Sequence, residues 1–425
     1  MINFTQKTLP NNIRLISCPQ ESTEAVAILL LVTTGGRYEP KDKLGISHFL
    51  EHLFFKGTKK YPSAQKLARQ LDRLGANYNA YTSEEATGFY IQSSAKDFKK
   101  SLDLLAEMYF WPLFPEKEID KERYVIIEEA NMRRDVPQIH VQTLAQKQMF
   151  PASPLGEDLI GTSETLKNIS RRDLLDYFNQ NYNGSSTIIA VCGNPKNYNW
   201  ETEIKKRFTT KAKGLKPECE IFRNTKNSQP LVAETRKVDQ AHLVLSTRTF
   251  PRTDPRRYQL ELLNVILGGS MSSRLFEQIR EKRAFGYYVK SDFDFFYDTG
   301  LLSVSAGVKV DKISETTKII LSEFQDIARK GPKTEELSRA KSNLRGQIAL
   351  ALEGSLELAT YLAAEVQYEK EIRQPERIAS QISNVTSKQI KNLAQELFVS
   401  DKMGLAVIAP KINKAELSKI IKNRS

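Results

Sequence analysis

The chain repeats one order of apolar and polar segments in its two halves. The first half has an apolar run typical of a buried strand, Ala25–Val32, and an alternating stretch, Tyr78–Ser93, that predicts a strand pair. A helical pattern at Gly45–Lys56 lies between them. The other helical patterns of this half lie at Ala64–Leu74, Lys96–Tyr109, Glu116–Arg134 and Arg171–Asn179, and the strand Thr187–Val191 closes it.

The second half shows the same succession. Its predicted elements are a strand at Leu243–Thr247, helices at Arg256–Leu267 and Ser273–Lys282, a strand pair through Tyr288–Val308, and helices at Ser314–Arg329 and Thr334–Glu353. The two halves also end alike. Asn168-Ile169-Ser170 leads into a helix and the strand TIIAVCGNPK, as Asn384-Val385-Thr386 leads into a helix and the strand GLAVIAPK. The repeat predicts two related domains.

Strands and helices alternate in an order that parallel crossovers alone cannot produce. We therefore predict an α+β fold of two homologous domains, each a mostly antiparallel sheet with helices packed on one face. A charged, proline-containing stretch between the halves is typical of a linker. The predicted boundaries are 1–208 for the N-terminal domain, 209–230 for the linker and 231–425 for the C-terminal domain.

Composition narrows the class of protein. The 425 residues are 40% hydrophobic, without a low-complexity tract, and no apolar run approaches the roughly 20 residues that cross a bilayer. The net charge is +12, but Lys and Arg are spread along the chain without a nucleic-acid-binding motif. The N-terminus resembles no secretory signal. We expect no membrane or nucleic-acid partner, and a cytoplasmic location.

Candidate chemistry lies in the helical pattern at Gly45–Lys56, which contains His48-Phe49-Leu50-Glu51-His52. Residues four apart on a helix lie one turn above each other, so His48 and His52 can bind one ion. Glu51 adds a carboxylate beside them. This is the inverted order of the H-E-x-x-H zinc motif and meets the same chemical requirement.

A catalytic zinc site takes three protein ligands and leaves one position for water, so a third ligand must come from another element. The predicted helix Glu116–Arg134 offers Glu122 and Glu129, which are seven residues apart and share one face. The residue pattern alone leaves both open as the ligand.

These motifs resemble the family of pitrilysin, insulysin and the mitochondrial processing peptidases. GISHFLEHLFFKGT resembles the family signature, and 76 residues separate His52 from Glu129, a spacing like the family's. ERYVIIEE, residues 122–129, resembles the segment in which the first glutamate supports and the last one binds the metal. The resemblance thus implies that Glu129 binds the metal and that Glu122 supports the metal-binding residues without binding the metal itself.

The resemblance also implies how substrate binds. The stretch 77–82, NYNAYT, resembles the edge strand to which a peptide adds, with contacts from Asn79, Ala80 and Tyr81. GGSMSSRLFEQIREKRAFGYYV resembles the C-terminal signature, whose arginine and tyrosine contact the peptide and correspond to Arg280 and Tyr287. The sequence departs from the family pattern at Ala284, where a glycine is expected.

The expected function is that of a zinc-dependent endopeptidase, with Glu51 activating the water. The family resemblance implies that its substrates are short or unfolded peptides. The second half has no matching His and Glu at the corresponding helix, so one Zn²⁺ per chain is expected. Family members of this length pair two chains, which implies a homodimer. The alternative is a non-catalytic structural or assembly subunit of the same fold.

Overall fold

The computed structural model describes residues 1–209, 213–223 and 229–422. The chain forms two compact units that interleave along the sequence. Unit 1 comprises Met1–Asn131, Glu157–Glu220 and Ala349–Pro375, and unit 2 comprises Met132–Gly156, Ile221–Ile348 and Glu376–Ser425. These units differ from the contiguous boundaries predicted above, because each includes a helical segment from the other half. Parts of the predicted linker, 210–212 and 224–228, lie outside the described residues.

Unit 1 contains a six-stranded sheet within the described residues. Its strands are β1 (Thr5–Thr8), β2 (Arg14–Pro19), β3 (Ala25–Val32), β4 (Asn77–Thr82), β5 (Thr87–Ser94) and β6 (Thr187–Gly193). They are ordered β1-β2-β6-β3-β5-β4. All neighbours are antiparallel except β2 and β6. Strand β4 therefore lies at one edge, with β5 as its partner.

Unit 2 contains a five-stranded sheet in the part of the chain that the structure describes. Its strands are β7 (Leu231–Thr235), β8 (Ala241–Thr249), β9 (Gly286–Phe295), β10 (Gly300–Val308) and β11 (Met403–Ala409), ordered β7-β11-β8-β10-β9. Again one pair, β7 with β11, is parallel and the others are antiparallel. The order matches β2-β6-β3-β5-β4 of unit 1, which confirms the α+β fold and the internal repeat.

The α-helices are distributed over both halves of the chain. Those of the N-terminal half are α1 (Ile46–Leu53), α2 (Ala64–Arg73), α3 (Phe98–Phe110), α4 (Glu116–Asp135), α5 (Pro137–Met149), α6 (Ser163–Asn168), α7 (Arg171–Asn181) and α8 (Trp200–Phe208). Those of the C-terminal half are α9 (Arg257–Leu267), α10 (Ile313–Lys330), α11 (Thr334–Ala351), α12 (Ser355–Tyr368), α13 (Pro375–Asn384), α14 (Ser387–Leu397) and α15 (Lys414–Lys422). Among the described residues, no helix combines the length and apolar character that crossing a bilayer requires.

Both faces of the unit 1 sheet are buried, which explains why β3 is apolar at every position. On one face, Val26, Ile28 and Leu30 belong to the core formed with α1, α3, α4, α7 and α8. On the other face, Leu29 and Leu31 pack against α12. The helices of the first half thus pack on one face, as predicted, and α12 from the second half covers the other.

Unit 2 shows the reciprocal arrangement. Helix α5, from the N-terminal half of the chain, packs against β8 and β11 through Val141 and Ala145, which are buried with Val244 and Ala406. Each sheet thus has one face covered by a helix that belongs to the other half of the sequence.

Candidate metal and peptidase site

Helix α1 places two histidines side by side at the edge of the unit 1 core. Its apolar positions are buried against the sheet, and these are Ile46, Phe49, Leu50 and Leu53. The two imidazoles, one turn apart, have ring centroids 4.7 Å apart and planes inclined at 64°. The side chain of His48 is 13% exposed and that of His52 21% exposed. The pair is thus partly sheltered yet still reachable from solvent.

The N-terminal end of α1 is fixed by two devices. Gly45 has a φ of +90°, and a Cβ there would overlap the carbonyl oxygen of Ile160, so only glycine fits. The buried carboxylate of Glu39 accepts hydrogen bonds from the N–H groups of Gly45 at 2.6 Å and Ser47 at 2.8 Å. Burial raises the pKa of Glu39 to about 7, although these two N–H groups act in the opposite direction.

Helix α4 brings two glutamates to the histidines. The Oε2 atom of Glu129 lies 3.8 Å from Nε2 of His48 and 3.6 Å from Nε2 of His52. Glu122 lies on the same face of α4 as Glu129, two turns before it. Its Oε2 atom is 3.1 Å from Nδ1 of His52, and its Oε1 atom is 2.6 Å from Nζ of Lys56. Burial acts to raise the pKa of Glu122, but the bonds from His52 and Lys56 outweigh it and lower the pKa below its ordinary value.

The donor set fits a zinc ion. Three ligand atoms, one each from His48, His52 and Glu129, all lie within 4.8 Å of one another. Ligands at about 2.0–2.2 Å from a tetrahedral ion are themselves about 3.3 Å apart. The carboxylate to imidazole distances are near this value and too long for direct hydrogen bonds. Glu122 is hydrogen-bonded to Nδ1 of His52, so the Nε2 atom of the same ring faces Glu129. Metal-binding histidines commonly have such a carboxylate bonded to the ring nitrogen that does not bind the metal.

Glu51 lies between the two histidines in sequence and is anchored from the sheet. Its Oε2 accepts a hydrogen bond of 2.6 Å from the hydroxyl of Thr82, at the end of β4. Burial raises the pKa of Glu51, and the charge of Glu129 adds to this, while Thr82 and His52 act against it. The carboxylate of Glu51, next to the three candidate ligands, thus takes up a proton more readily than the carboxylate of a glutamate in water.

Strand β4 runs beside this cluster at the edge of the sheet. Asn79 is exposed, Tyr81 is half-buried and Ala80 is buried in the core. Among the described residues, β4 pairs with β5 alone, so its other backbone edge is open to a further strand.

A largely apolar cavity of about 440 Å³ adjoins β4. It is bordered by the turn that follows α1, by α2 and by β4, and it is lined by Phe55, Lys56, Ala64, Gln65, Leu67, Ala68, Leu71, Tyr78 and Asn79. Its size and lining suit one large apolar side chain.

Comparison with known sequences places the chain in a family. The family model described as "Insulinase (Peptidase family M16)" matches residues 14–163, and the model "Peptidase M16 inactive domain" matches residues 168–344. The chain belongs to peptidase family M16. The first match includes His48, His52 and Glu129.

The similarity to two relatives extends over nearly the whole chain. An "uncharacterized zinc protease" of Bacillus subtilis is 32% identical over 412 residues, which are 96% of this chain and 98% of the relative. Another protein of the same description, from Rickettsia felis, is 31% identical over 403 residues, 94% and 96% of the two chains.

Solved structures of other proteins share the fold. A protease from Helicobacter pylori superimposes with a TM-score of 0.89 at 22% identity, covering 96% of this chain and 100% of that one. A Pseudomonas fluorescens structure titled peptidase M16 inactive domain gives a TM-score of 0.90 at 19% identity, covering 97% and 99%. At these identities the similarity supports the two-domain M16 fold alone.

Arg280 and Tyr287, the predicted M16 substrate contacts, lie in unit 2. Arg280 belongs to a π-helical turn, Phe276–Glu281, and its guanidinium lies 5.0 Å from the ring of Phe276. Tyr287 is 79% exposed on β9. Ala284, between them, has a φ of +51°, so it adopts the left-handed conformation that a glycine would take. The turn is thus formed despite the departure from the family pattern.

Sequence reasoning misses three residues of this M16 site. Thr82 bonds to Glu51, Lys56 bonds to Glu122, and Glu39 holds the start of α1. The strand period offered a signal for Thr82, because it lies two residues after Ala80 and so shares its inward face. Lys56 follows His52 by four residues and lies on the same side of the chain.

Proposed function

We propose that this chain is a zinc-dependent endopeptidase that cleaves short or unfolded peptides, with one Zn²⁺ per chain. The observation that carries the proposal is the position of the Glu129 Oε2 atom, 3.6 and 3.8 Å from the Nε2 atoms of His52 and His48, with Glu51 on the same helix turn. Membership of family M16 supports it, as do relatives whose names describe zinc proteases.

The protein groups have distinct tasks in this proposal. His48, His52 and Glu129 would hold the ion, and Glu122 would fix the His52 ring. Zinc in such a site supplies Lewis acidity, lowering the pKa of water to about 7. Glu51 accepts the proton of the attacking water at its carboxylate and passes it to the leaving amine, which its raised pKa favours. Thr82 keeps that carboxylate oriented.

Substrate recognition follows from the edge strand and the cavity. An extended peptide would add to β4 beside Asn79, Ala80 and Tyr81 through main-chain hydrogen bonds. The adjoining cavity would take a large apolar side chain of the substrate. Arg280 and Tyr287 would contact the peptide and stabilise the transition state, as the family resemblance implies. The same resemblance leads us to propose a homodimer acting in the cytoplasm.

The test is cleavage of a mixed peptide library by the purified protein loaded with zinc, read by mass spectrometry. We expect cuts next to large apolar residues that stop when a chelator removes the metal. Glu51→Gln should keep zinc and lower kcat/KM by about 10²–10⁴-fold, since general-base catalysis contributes that much. Glu128→Gln is the matched control, because Glu128 is exposed on α4.

Full activity of Glu51→Gln would refute the role of Glu51. A protein that binds zinc at the three ligands but cleaves no peptide would instead favour the alternative, a non-catalytic subunit of the M16 fold.

A further inference from the structure

A strongly basic stretch follows helix α1 in unit 1. Residues 56–73, KGTKKYPSAQKLARQLDR, contain six basic side chains and one acidic side chain, Asp72. Unit 1 as a whole has 29 Lys and Arg against 31 Asp and Glu, a net charge of −2. The stretch is thus a local concentration of positive charge in a unit that is otherwise slightly acidic.

The charges of this stretch are mostly not neutralised by neighbours. Lys56 pairs with Glu122 at 2.6 Å. The other five basic residues are exposed, and within the described residues none has a carboxylate oxygen within 4 Å of its charged group. We call these five the α2 cations: Lys59, Lys60, Lys66, Arg69 and Arg73. Their charge therefore acts on whatever approaches this surface.

The α2 cations adjoin the cavity and the edge strand. Helix α2 forms one wall of the cavity through its buried side, while Lys66, Arg69 and Arg73 lie on its exposed side. Lys59 and Lys60 lie in the loop that joins α1 to α2. A helix is about 10–12 Å across, which is shorter than the Debye length of roughly 20 Å at an ionic strength of about 0.02 M. A peptide on β4 with one side chain in the cavity lies within reach of this field.

We propose that the α2 cations select peptides whose residues flanking the apolar side chain are acidic. The inference rests on the proposed peptidase function and adds the charge class of its substrates. Carboxylates of such a peptide gain favourable interactions beside the cavity, whereas lysines or arginines in the same places are repelled. Among the residues that the structure describes, the five cations have no carboxylate oxygen within 4 Å, so an acidic peptide displaces no ion pair formed there when it binds.

The test compares fluorogenic peptides with one apolar core and flanks of Glu, Gln or Lys, cleaved by the zinc-loaded full chain. At an ionic strength of about 0.02 M, we expect kcat/KM to be about tenfold higher for the Glu series than for the Lys series. At about 0.5 M the difference should shrink to about twofold, because salt screens exposed charges.

Two charge variants locate the effect. Lys66→Gln/Arg69→Gln/Arg73→Gln should bring the three series to within about twofold of one another at low salt. The matched control, Lys414→Gln/Lys419→Gln/Lys422→Gln on α15, removes the same charge from exposed positions of unit 2 and should keep the preference. Circular dichroism and zinc content establish that each variant is folded.

The outcomes separate the two proposals. Equal cleavage of all three peptide series, or equal loss of preference in both variants, would overturn the charge inference and leave the peptidase proposal standing. If no peptide of any series is cleaved by the zinc-loaded protein, the proposed function fails and the inference fails with it.

Discussion

Two glutamates on one helix face have different neighbours, and this separates residues that the sequence pattern leaves equivalent. Glu122 and Glu129 are seven residues apart on α4 and both point to α1. Glu129 faces the Nε2 atoms of both histidines, while Glu122 bonds to Nδ1 of His52 and to Lys56. An ion between the imidazoles can therefore contact Glu129, with Glu122 behind His52.

Replacing each glutamate tests this difference. We expect Glu122→Gln to weaken zinc binding by about 10–100-fold, as the loss of a carboxylate behind a ligand usually does. Glu129→Gln removes a ligand and should weaken binding further. Competition with a fluorescent zinc chelator gives both affinities, and Glu128→Gln serves as the unaffected control. Stronger loss in Glu122→Gln than in Glu129→Gln would reverse the assignment.

The residues that carry the chemistry of this site were easier to predict from the sequence than the residues that hold them in place. His48, Glu51 and His52 were recognisable because an i, i+4 pair needs only a helix to come together. The choice between Glu122 and Glu129 needed the family resemblance. A seven-residue spacing shows that both lie on one face of the helix, but it does not show which of them is next to the histidines. The strand period puts Thr82 on the inward face of β4 without identifying its partner. The contacts of Thr82 with Glu51 and of Glu39 with Ser47 could not be predicted, since they join residues 31 and 8 positions apart across loops.

At the scale of elements, the N-terminal end of helix α1 is held by a buried acid, Glu39. Burial raises the pKa of Glu39 from 4.5 to about 7. The folded protein therefore retains a proton at Glu39 between about pH 4.5 and 7 that the unfolded chain has lost. The stabilisation from this proton is complete below about pH 4.5 and disappears as pH rises through about 7, a change of up to roughly 3 kcal/mol.

Glu39→Gln should remove this pH dependence. We expect the free energy of unfolding of the variant, relative to that of the wild type, to increase by up to roughly 3 kcal/mol from pH 4.5 to 8. Urea unfolding of the metal-free proteins at several pH values measures it, with Glu128→Gln as the control. A difference between variant and wild type that is constant with pH would contradict the account.

The turn between Arg280 and Tyr287 holds an alanine in a conformation that suits glycine. A left-handed conformation costs a residue with a Cβ about 1–2 kcal/mol, whereas glycine adopts it freely. Ala284 is exposed, and its N–H bonds to the carbonyl of Arg280 at 3.1 Å, so substitution changes little else.

Ala284→Gly should therefore raise the free energy of unfolding by roughly 0.5 kcal/mol, once the larger backbone entropy of glycine in the unfolded chain is subtracted. Ala284→Val should lower it by more than about 1 kcal/mol, because a branched side chain tolerates positive φ poorly. Urea unfolding compares the three proteins. If glycine proved less stable than alanine here, the left-handed conformation would be in error.

For the whole molecule, the exchange of helices between the halves is the main feature that the sequence did not reveal. The repeat and its antiparallel sheets were predictable, because each strand carries its own alternation or apolar run. The sequence of α12 has the pattern of any buried helix. This pattern does not indicate which of the two sheets the helix packs against. Its position against Leu29 and Leu31 depends on packing between residues more than 300 positions apart.

This exchange makes unit 1 depend on the C-terminal half of the chain. Leu362 of α12 is fully buried against the sheet. We expect Leu362→Ala to lower the stability of unit 1 by about 2–5 kcal/mol, the usual cost of a cavity in a core. Thr360→Ala, at an exposed position of the same helix, should change it by less than about 0.5 kcal/mol.

Calorimetry with zinc bound and removed identifies the unit affected, since zinc should raise the melting temperature of unit 1. A loss confined to a transition that zinc does not shift would contradict the placement of α12.

The central claim is that His48, His52 and Glu129 bind one zinc ion. Anomalous diffraction above the zinc absorption edge, from crystals of the zinc-loaded protein, tests it most directly. We predict one strong peak per chain, about 2.0–2.2 Å from Nε2 of each histidine and from a carboxylate oxygen of Glu129. A peak at another place, or bound to Glu122 in place of Glu129, would contradict the account.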